Sequence, residues 1–243
     1  MMRMADKGKN PVYALQCLLK GLAMLPRKEL RKYLLIPLLI NVLLYSTVLV
    51  LGYYYMSDLI QQFIPGWLSW LEWILWPLFF VSFLITGFFT FTILANLIAA
   101  PFYSHLSARV AELLSGDSID VVEQSWPKVL LAEIKRAGYL LSRMLPLLIL
   151  FIIPVVNVVA PIVWALFGAW SMALEFMAYP LENRGLLFSE QKALLKEVRI
   201  AGLSFGGLTV LGLSLPIFNL IVSPAAVIGA TVYIYTLAEQ QEQ

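Results

Sequence analysis

Pro154-Val155-Val156-Asn157-Val158-Val159-Ala160-Pro161 and Pro216-Ile217-Phe218-Asn219-Leu220-Ile221-Val222-Ser223-Pro224 carry the same pattern twice, P-x-x-N with a second proline four or five positions beyond the asparagine. Each stands near the middle of a long uncharged run, Met144 to Leu174 and Ile200 to Ala238. Proline removes a backbone donor and stops a helix, and asparagine readily caps or turns one. Each run therefore divides into two apolar arms. The arms Met144 to Ile153 and Ile162 to Leu174 are too short to span a bilayer at about 1.5 Å per residue, and Ile200 to Leu215 and Ala225 to Ala238 are marginal. Two readings are open: proline-kinked crossings, or re-entrant hairpins that dip into the bilayer and return. Paired, interrupted apolar segments in corresponding positions are the pattern expected around a transport site.

The rest of the chain has the composition of a membrane protein. Of 243 residues, 60% are apolar and 13% charged, and mean hydropathy is +0.82. An ordinary soluble chain carries about 25% charge, so this one lacks the polar residues to cover a water-facing surface. Two further uncharged runs, Tyr33 to Ser57 and Trp73 to Ser104, each fit one continuous crossing of roughly 20 residues. Pro37 lies near the start of the first, where a kink is tolerable. No cleaved signal peptide is expected, because no apolar run with a small-residue cleavage site directly follows the basic amino terminus.

Charge placement bears on the topology. Residues 1–32 hold eight Lys and Arg, 58–72 none, 105–143 five and 175–199 four, which accounts for all seventeen. Positive charge stays on the cytoplasmic side. Two crossings and two hairpins put every cation inside; four full crossings would strand the four of 175–199 outside. Both termini are then cytoplasmic. Trp67, Trp70, Trp73 and Trp76 surround the outer loop as an aromatic belt.

The connecting regions also read as helical. Leu15, Leu18, Leu19 and Leu22 recur at i, i+3, i+4, i+7 and describe an amphipathic helix at the membrane surface. The expected architecture is all-α: one polytopic membrane domain over 1–243. Its segments are an interfacial helix (12–25), two long transmembrane helices (27–57 and 71–115), and two helix-plus-hairpin segments (126–176 and 189–238).

One stretch suits an anion. In Gly21-Leu22-Ala23-Met24-Leu25-Pro26-Arg27-Lys28-Glu29, Gly21 interrupts one helix and Pro26 suits the first turn of the next. The N–H groups of Arg27, Lys28 and Glu29 would then point out of a helix amino terminus beside two cations, an arrangement that accepts an oxyanion. The alternative is that Arg27, Lys28, Arg31 and Lys32 only anchor a membrane helix. Glu182 and Arg184, in the turn Tyr179-Pro180-Leu181-Glu182-Asn183-Arg184-Gly185, are a gate pair or an ordinary surface pair. Asn157 and Asn219 either contact a passing ion or cap their turns. One histidine, His105, and one cysteine, Cys17, rule out a multi-histidine metal centre and an internal disulfide within one chain. No Walker A sequence, G-x-S-x-G elbow, H-E-x-x-H or Rossmann glycine pattern is present. No enzymatic activity, cofactor, metal or nucleic-acid partner is expected.

The Gly21-Leu22-x-x-Leu25 motif followed by Pro26-Arg27-Lys28 resembles the amino-terminal signature of the CysZ-type bacterial sulfate permeases. The Tyr179-Pro180-x-Glu182-Asn183-Arg184-Gly185 turn and the two P-x-x-N tips resemble that family too, and the likeness covers nearly the whole chain. The resemblance implies an inner-membrane protein that moves sulfate inward for cysteine synthesis without ATP hydrolysis. It also implies two long transmembrane helices, two hemi-penetrating hairpins, and homodimers or larger homo-oligomers. Carried over residue by residue, it places sulfate at Gly21, Leu22, Leu25, Arg27 and Lys28; Glu182, Asn183, Arg184, Asn157 and Asn219 remain candidates for a pathway or gate. Lys28 offers a point charge without the fork of an arginine. A competing reading is a non-transporting membrane scaffold whose basic faces recruit a soluble partner or anionic lipid.

Overall fold

The computed structural model describes residues 6–63, 70–117, 121–122 and 124–242. Among them are eight α-helices and no strands: α1 (Pro11–Met24), α2 (Lys28–Phe63), α3 (Glu72–Ser115), α4 (Trp126–Leu150), α5 (Ala160–Glu182), α6 (Phe188–Glu197), α7 (Arg199–Leu213) and α8 (Pro216–Glu242). The chain divides into two compact units, Lys32–Phe102 and the remainder.

The smaller unit is the facing stretches of α2 and α3. Tyr53 meets Trp76 with ring centroids 5.2 Å apart, and Phe79 and Phe83 lie beside Gly52. Leu39, Leu43, Tyr54 and Trp73 stand largely exposed. So continuous an apolar surface is stable only against an apolar solvent. The stretch Lys28–Tyr55 is long and apolar enough to cross a membrane. Trp70 and Trp73 of the expected belt are exposed; Trp67 lies outside the described residues.

The larger unit is built around α8. From Pro224 to Ile234 every residue is buried, as a helix apolar on all sides must be. It packs against α1, α5 and α7. Two seams of small residues permit this. A Cβ on Gly21 would stand 2.2 Å from the Ala225 carbonyl oxygen, and one on Gly229 would stand 2.7 Å from the Cα of Leu18. A Cβ on Gly206 would stand 1.8 Å from the carbonyl oxygen of Ala169 in α5. Backbones thus approach backbones, which only glycine allows. Hydrogen bonds tie the ends: Tyr13 to Thr236 at 2.5 Å, Thr231 to Ser107 at 2.9 Å, and the Tyr233 hydroxyl to the Gly8 carbonyl.

The first expected hairpin has its turn where the Pro154–Pro161 motif stands. α4 ends at Leu150, a short 3-10 turn covers Val156–Val158, and α5 starts at Ala160. Tyr139 meets Trp170 and Phe151 meets Trp164, so the two helices run antiparallel. Asn157 does not cap α5; Val159 holds that position, and the Asn157 side chain is exposed.

Two expectations need correction. The second turn falls at Ser214 and Leu215, not within Pro216–Pro224. Pro216 opens α8, where its missing donor costs nothing, and Pro224 is carried inside the helix. Secondly, the arm taken to end at Leu174 continues through Glu175 to Glu182. Ala160–Glu182 and Ile221–Ala238 both meet the length and apolarity for a crossing. Within the unit, α1 packs through Ala14, Cys17, Leu18 and Gly21 and leaves Leu19 and Leu22 exposed, on the stripe that the spacing assigns to the membrane surface. Close backbone approach selects the small-residue face over the leucine stripe.

The glycine seam predicts a contrast. Gly21→Ala forces α1 off α8 and should cost about 1–3 kcal/mol, read as a lower Tm in detergent. Gly207→Ala, whose Cβ would meet only the Ala169 side chain at 3.8 Å, should leave the Tm unchanged or raise it.

Candidate functional site

The segment from Gly21 to Lys28 is a tight turn between α1 and α2. Asn10 caps α1 by accepting from the Val12 N–H at 2.9 Å. At the other end the Leu25 N–H donates to the Leu22 carbonyl and the Arg27 N–H to the Met24 carbonyl. The Arg27 carbonyl then accepts from Leu30 and Arg31. α2 therefore begins at Lys28, not at Pro26, and the Arg27 N–H is spent closing the turn. Only the following N–H groups remain at the free end of the helix. Arg31 folds back, its Nε donating to the Pro26 carbonyl at 2.9 Å.

Within this turn the five residues divide by role. Gly21 is buried in the seam with α8, and Leu25 is buried beneath the turn. Leu22 is 45% exposed. Arg27 and Lys28 are both exposed and make no ion pair among the described residues. They stand at the positive end of a 36-residue helix, where the macrodipole and two cations favour an anion. Glu29 shares that first turn. The turn that presents the two cations is held by the glycine seam.

A second polar cluster lies elsewhere in the larger unit and joins the candidate Glu182 to Arg136, Glu133 and Gln191, which the sequence does not single out. Arg136 of α4 is buried. Its Nη2 donates to Glu182 Oε1 at 2.8 Å and to Gln191 Oε1 at 2.8 Å, and its Nη1 lies 2.9 Å from Glu133 Oε1. Gln191 Nε2 donates to Glu182 at 3.2 Å and to the Leu186 carbonyl at 2.9 Å. Burial works against the charge on Arg136, yet Glu133 and Glu182 outweigh it and hold the guanidinium above its usual value. Burial also pushes the Glu133 carboxyl up, with Arg136 opposing. Arg136 Nε is buried without a hydrogen-bond partner.

Glu182 is thus engaged by Arg136 and Gln191, while Arg184 lies over the ring of Tyr235, 5.8 Å from its centroid. Asn183 is buried: its side chain accepts from Ser104 Oγ at 2.9 Å and donates to the Ser104 carbonyl at 3.0 Å, and its own carbonyl accepts from the Val122 N–H. It clips the end of α3 to the turn after α5. Gly185 closes that turn at φ 78°, a conformation that favours glycine. A cavity of about 150 Å³ opens beside Glu133, Glu182 and Asn183. With two carboxylates in its wall it repels a dianion, so the 21–28 turn is the better anion site of the two. Asn157 stands far along the chain in the hairpin turn; the side chain of Asn219 lies outside the described residues. Among the described residues no group of three or more His, Cys, Asp or Glu is placed to hold a metal ion.

Residues 17–224 match the family model described as sulfate transporter CysZ/etoposide-induced protein 2.4. The chain belongs to this family. A Pseudomonas fluorescens (strain Pf0-1) protein named sulfate transporter CysZ is 41% identical over 228 residues, 90% of this chain and 91% of the relative. One of the same name from Pseudomonas syringae pv. tomato is 40% identical, covering 90% of each chain. Another from Vibrio atlanticus is 37% identical over 84% of each. The CysZ family match begins inside α1 and ends in α8, so it takes in the 21–28 turn, the Arg136 cluster and both interhelical turns.

The cluster is a stability element with a clear signature. Arg136→Ala leaves the half-exposed Glu182 without its cation and the buried Gln191 Oε1 without its donor, and should cost about 1–3 kcal/mol, measured by unfolding in detergent. Arg136→Lys, which keeps the charge but not the fork, should fall between that variant and wild type.

Proposed function

We propose that the chain is a sulfate permease that admits sulfate across the bacterial inner membrane to supply cysteine synthesis, without ATP hydrolysis. The observation that carries this is the near full-length likeness, at about 40% identity, to proteins named sulfate transporter CysZ. The 21–28 turn supports it chemically. Sulfate must shed water to pass a membrane, and a helix amino terminus with an arginine and a lysine offsets part of that cost. An exposed site keeps binding weak enough for release. Arg27 supplies the planar fork and Lys28 a point charge, while Gly21, Leu22 and Leu25 shape and seat the turn. Glu182, held by Arg136, and Asn183, held by Ser104, serve as a structural clip at the end of α5 rather than as a surface that sulfate touches. No residue constellation in the sequence favours enzymatic chemistry.

The reading includes two re-entrant hairpins with both termini cytoplasmic, and assembly of the chain into homodimers or larger homo-oligomers. Support for hairpins comes from charge. Glu175 and Glu182 both stand in the last two turns of α5, and Glu182 pairs with Arg136 at 2.8 Å; carboxylates at that end suit a polar layer better than hydrocarbon. From Arg143, the last charge of α4, to its end at Leu150 is about 11 Å at 1.5 Å per residue. That reaches less than halfway through a core of about 30 Å.

Arg27→Ala should lower sulfate binding and sulfate uptake into proteoliposomes severalfold while leaving the Tm unchanged. Unchanged flux removes the site. For topology, Asn157→Cys is placed in a Cys17→Ser background. Failure to label with an impermeant thiol reagent added outside the cell is expected; ready labelling contradicts the re-entrant hairpin.

A further inference from the structure

Tyr139 of α4 is the meeting point of two cations from different helices. The Arg143 guanidinium lies 3.6 Å from the centroid of its ring, and Lys192 Nζ of α6 lies 5.0 Å from it. The Tyr139 hydroxyl accepts from Trp170 Nε1 at 3.0 Å. Arg143 Nη1 donates to the Tyr139 carbonyl at 3.1 Å and lies 3.4 Å from Ser142 Oγ. Neither Arg143 nor Lys192 meets a carboxylate among the described residues, in contrast to Arg136, whose charge is matched by Glu133 and Glu182. From this point an open groove of about 440 Å³ runs between α4 and α5, with Pro146, Leu147, Val163, Leu166 and Phe167 among its lining residues.

Polarity changes along the groove in one direction. Tyr139, Arg143 and Trp170 form one end. Beyond Arg143 both walls are uncharged: α4 to its end at Leu150, and α5 from Ala160 to Leu174. Tyrosine, tryptophan and arginine at one level are the residues of a membrane–water interface. The groove below them is apolar and faces outward. Its shape calls for an occupant with an anionic head and an apolar tail, in that order.

We propose that this groove is a binding site for an anionic glycerophospholipid, with the phosphate held by Arg143 and Lys192 and an acyl chain laid along Leu147, Val163 and Leu166. The guanidinium offers a fork that matches two phosphate oxygens. The ammonium adds a second charge from α6, so a bound lipid also bridges α4 to α6. Tyr139 holds both cations in place through their stacking on its ring. A zwitterionic lipid brings its own ammonium to the same point and is disfavoured there. The site is independent of sulfate binding, since it shares no residue with the 21–28 turn.

The test is native mass spectrometry of the full chain in nonionic detergent with phosphatidylglycerol or phosphatidylcholine of the same acyl composition. Wild type should retain phosphatidylglycerol in preference, with roughly a fivefold loss for each cation removed. Arg143→Gln and Lys192→Gln together should abolish the preference, whereas Lys135→Gln, an exposed cation elsewhere on α4, should preserve it. Leu166→Trp, at a position 52% exposed, fills the groove without entering the core and should reduce retention of phosphatidylglycerol. Equal retention of the two lipids by wild type overturns the proposal. So does a preference that survives the double substitution or the filled groove. If Leu166→Cys cross-links efficiently between copies in native membranes, a second chain rather than a lipid covers the groove, and the proposal likewise fails.

Discussion

A guanidinium taken out of water must be met by anions and acceptors, and Arg136 is met by Glu133, Glu182 and Gln191 from α4, α5 and α6. In a chain with so little charge, this is where an apolar hairpin is joined to a polar layer. The cluster stands where the charge pattern of α5 changes: Glu175 and Glu182 lie in its last two turns, and the stretch back to Ala160 is uncharged. It also fixes α6 against the end of the hairpin through Gln191. Replacement of such a network by apolar residues is often tolerated energetically, but removal of one member is not. Its retention here defines register as much as stability.

The glycine seams perform the complementary task in the apolar part of the unit. Lipid tails and leucine side chains are equally apolar, so association between apolar helices depends on close packing rather than on hydrophobic burial. Gly21 and Gly229 let α1 lie on α8, and Gly206 lets α7 lie on α5. The first seam has a chemical consequence. By seating α1 it fixes the turn that leads to Lys28, so the cations at the start of α2 are presented by a rigid element. A packing residue and the proposed binding residues thus share one short motif. Gly21 serves the proposed anion site by seating the turn that presents Arg27, without facing the anion itself.

Much of this was legible in the sequence, and the exceptions have physical causes. Uncharged runs located the apolar helices because charge is costly in hydrocarbon, and Pro154–Pro161 marked a real turn. The second tip motif misled by position: Pro216 opens a helix as readily as proline ends one, so the break falls at Ser214 and Leu215. Leucine spacing in α1 marked its exposed apolar stripe but not the face that packs on α8, since periodicity scores hydrophobicity and not the small size that backbone contact demands. The uncharged run ends before Glu175, but the helix does not: α5 carries that half-buried carboxylate and goes on to Glu182. Arg136 was missed because its partners Glu182 and Gln191 are 46 and 55 residues distant. The one local signal was Glu133, three residues before it on α4, which alone reads as a surface pair.

The central claim is that this protein conducts sulfate, and flux measures it most directly. Purified wild-type chain in sealed proteoliposomes, given external radiolabelled sulfate without ATP, should admit sulfate well above protein-free vesicles until the two sides equilibrate. Excess unlabelled sulfate should compete with the label. Influx no faster than in protein-free vesicles, from protein that melts cooperatively, would contradict the account.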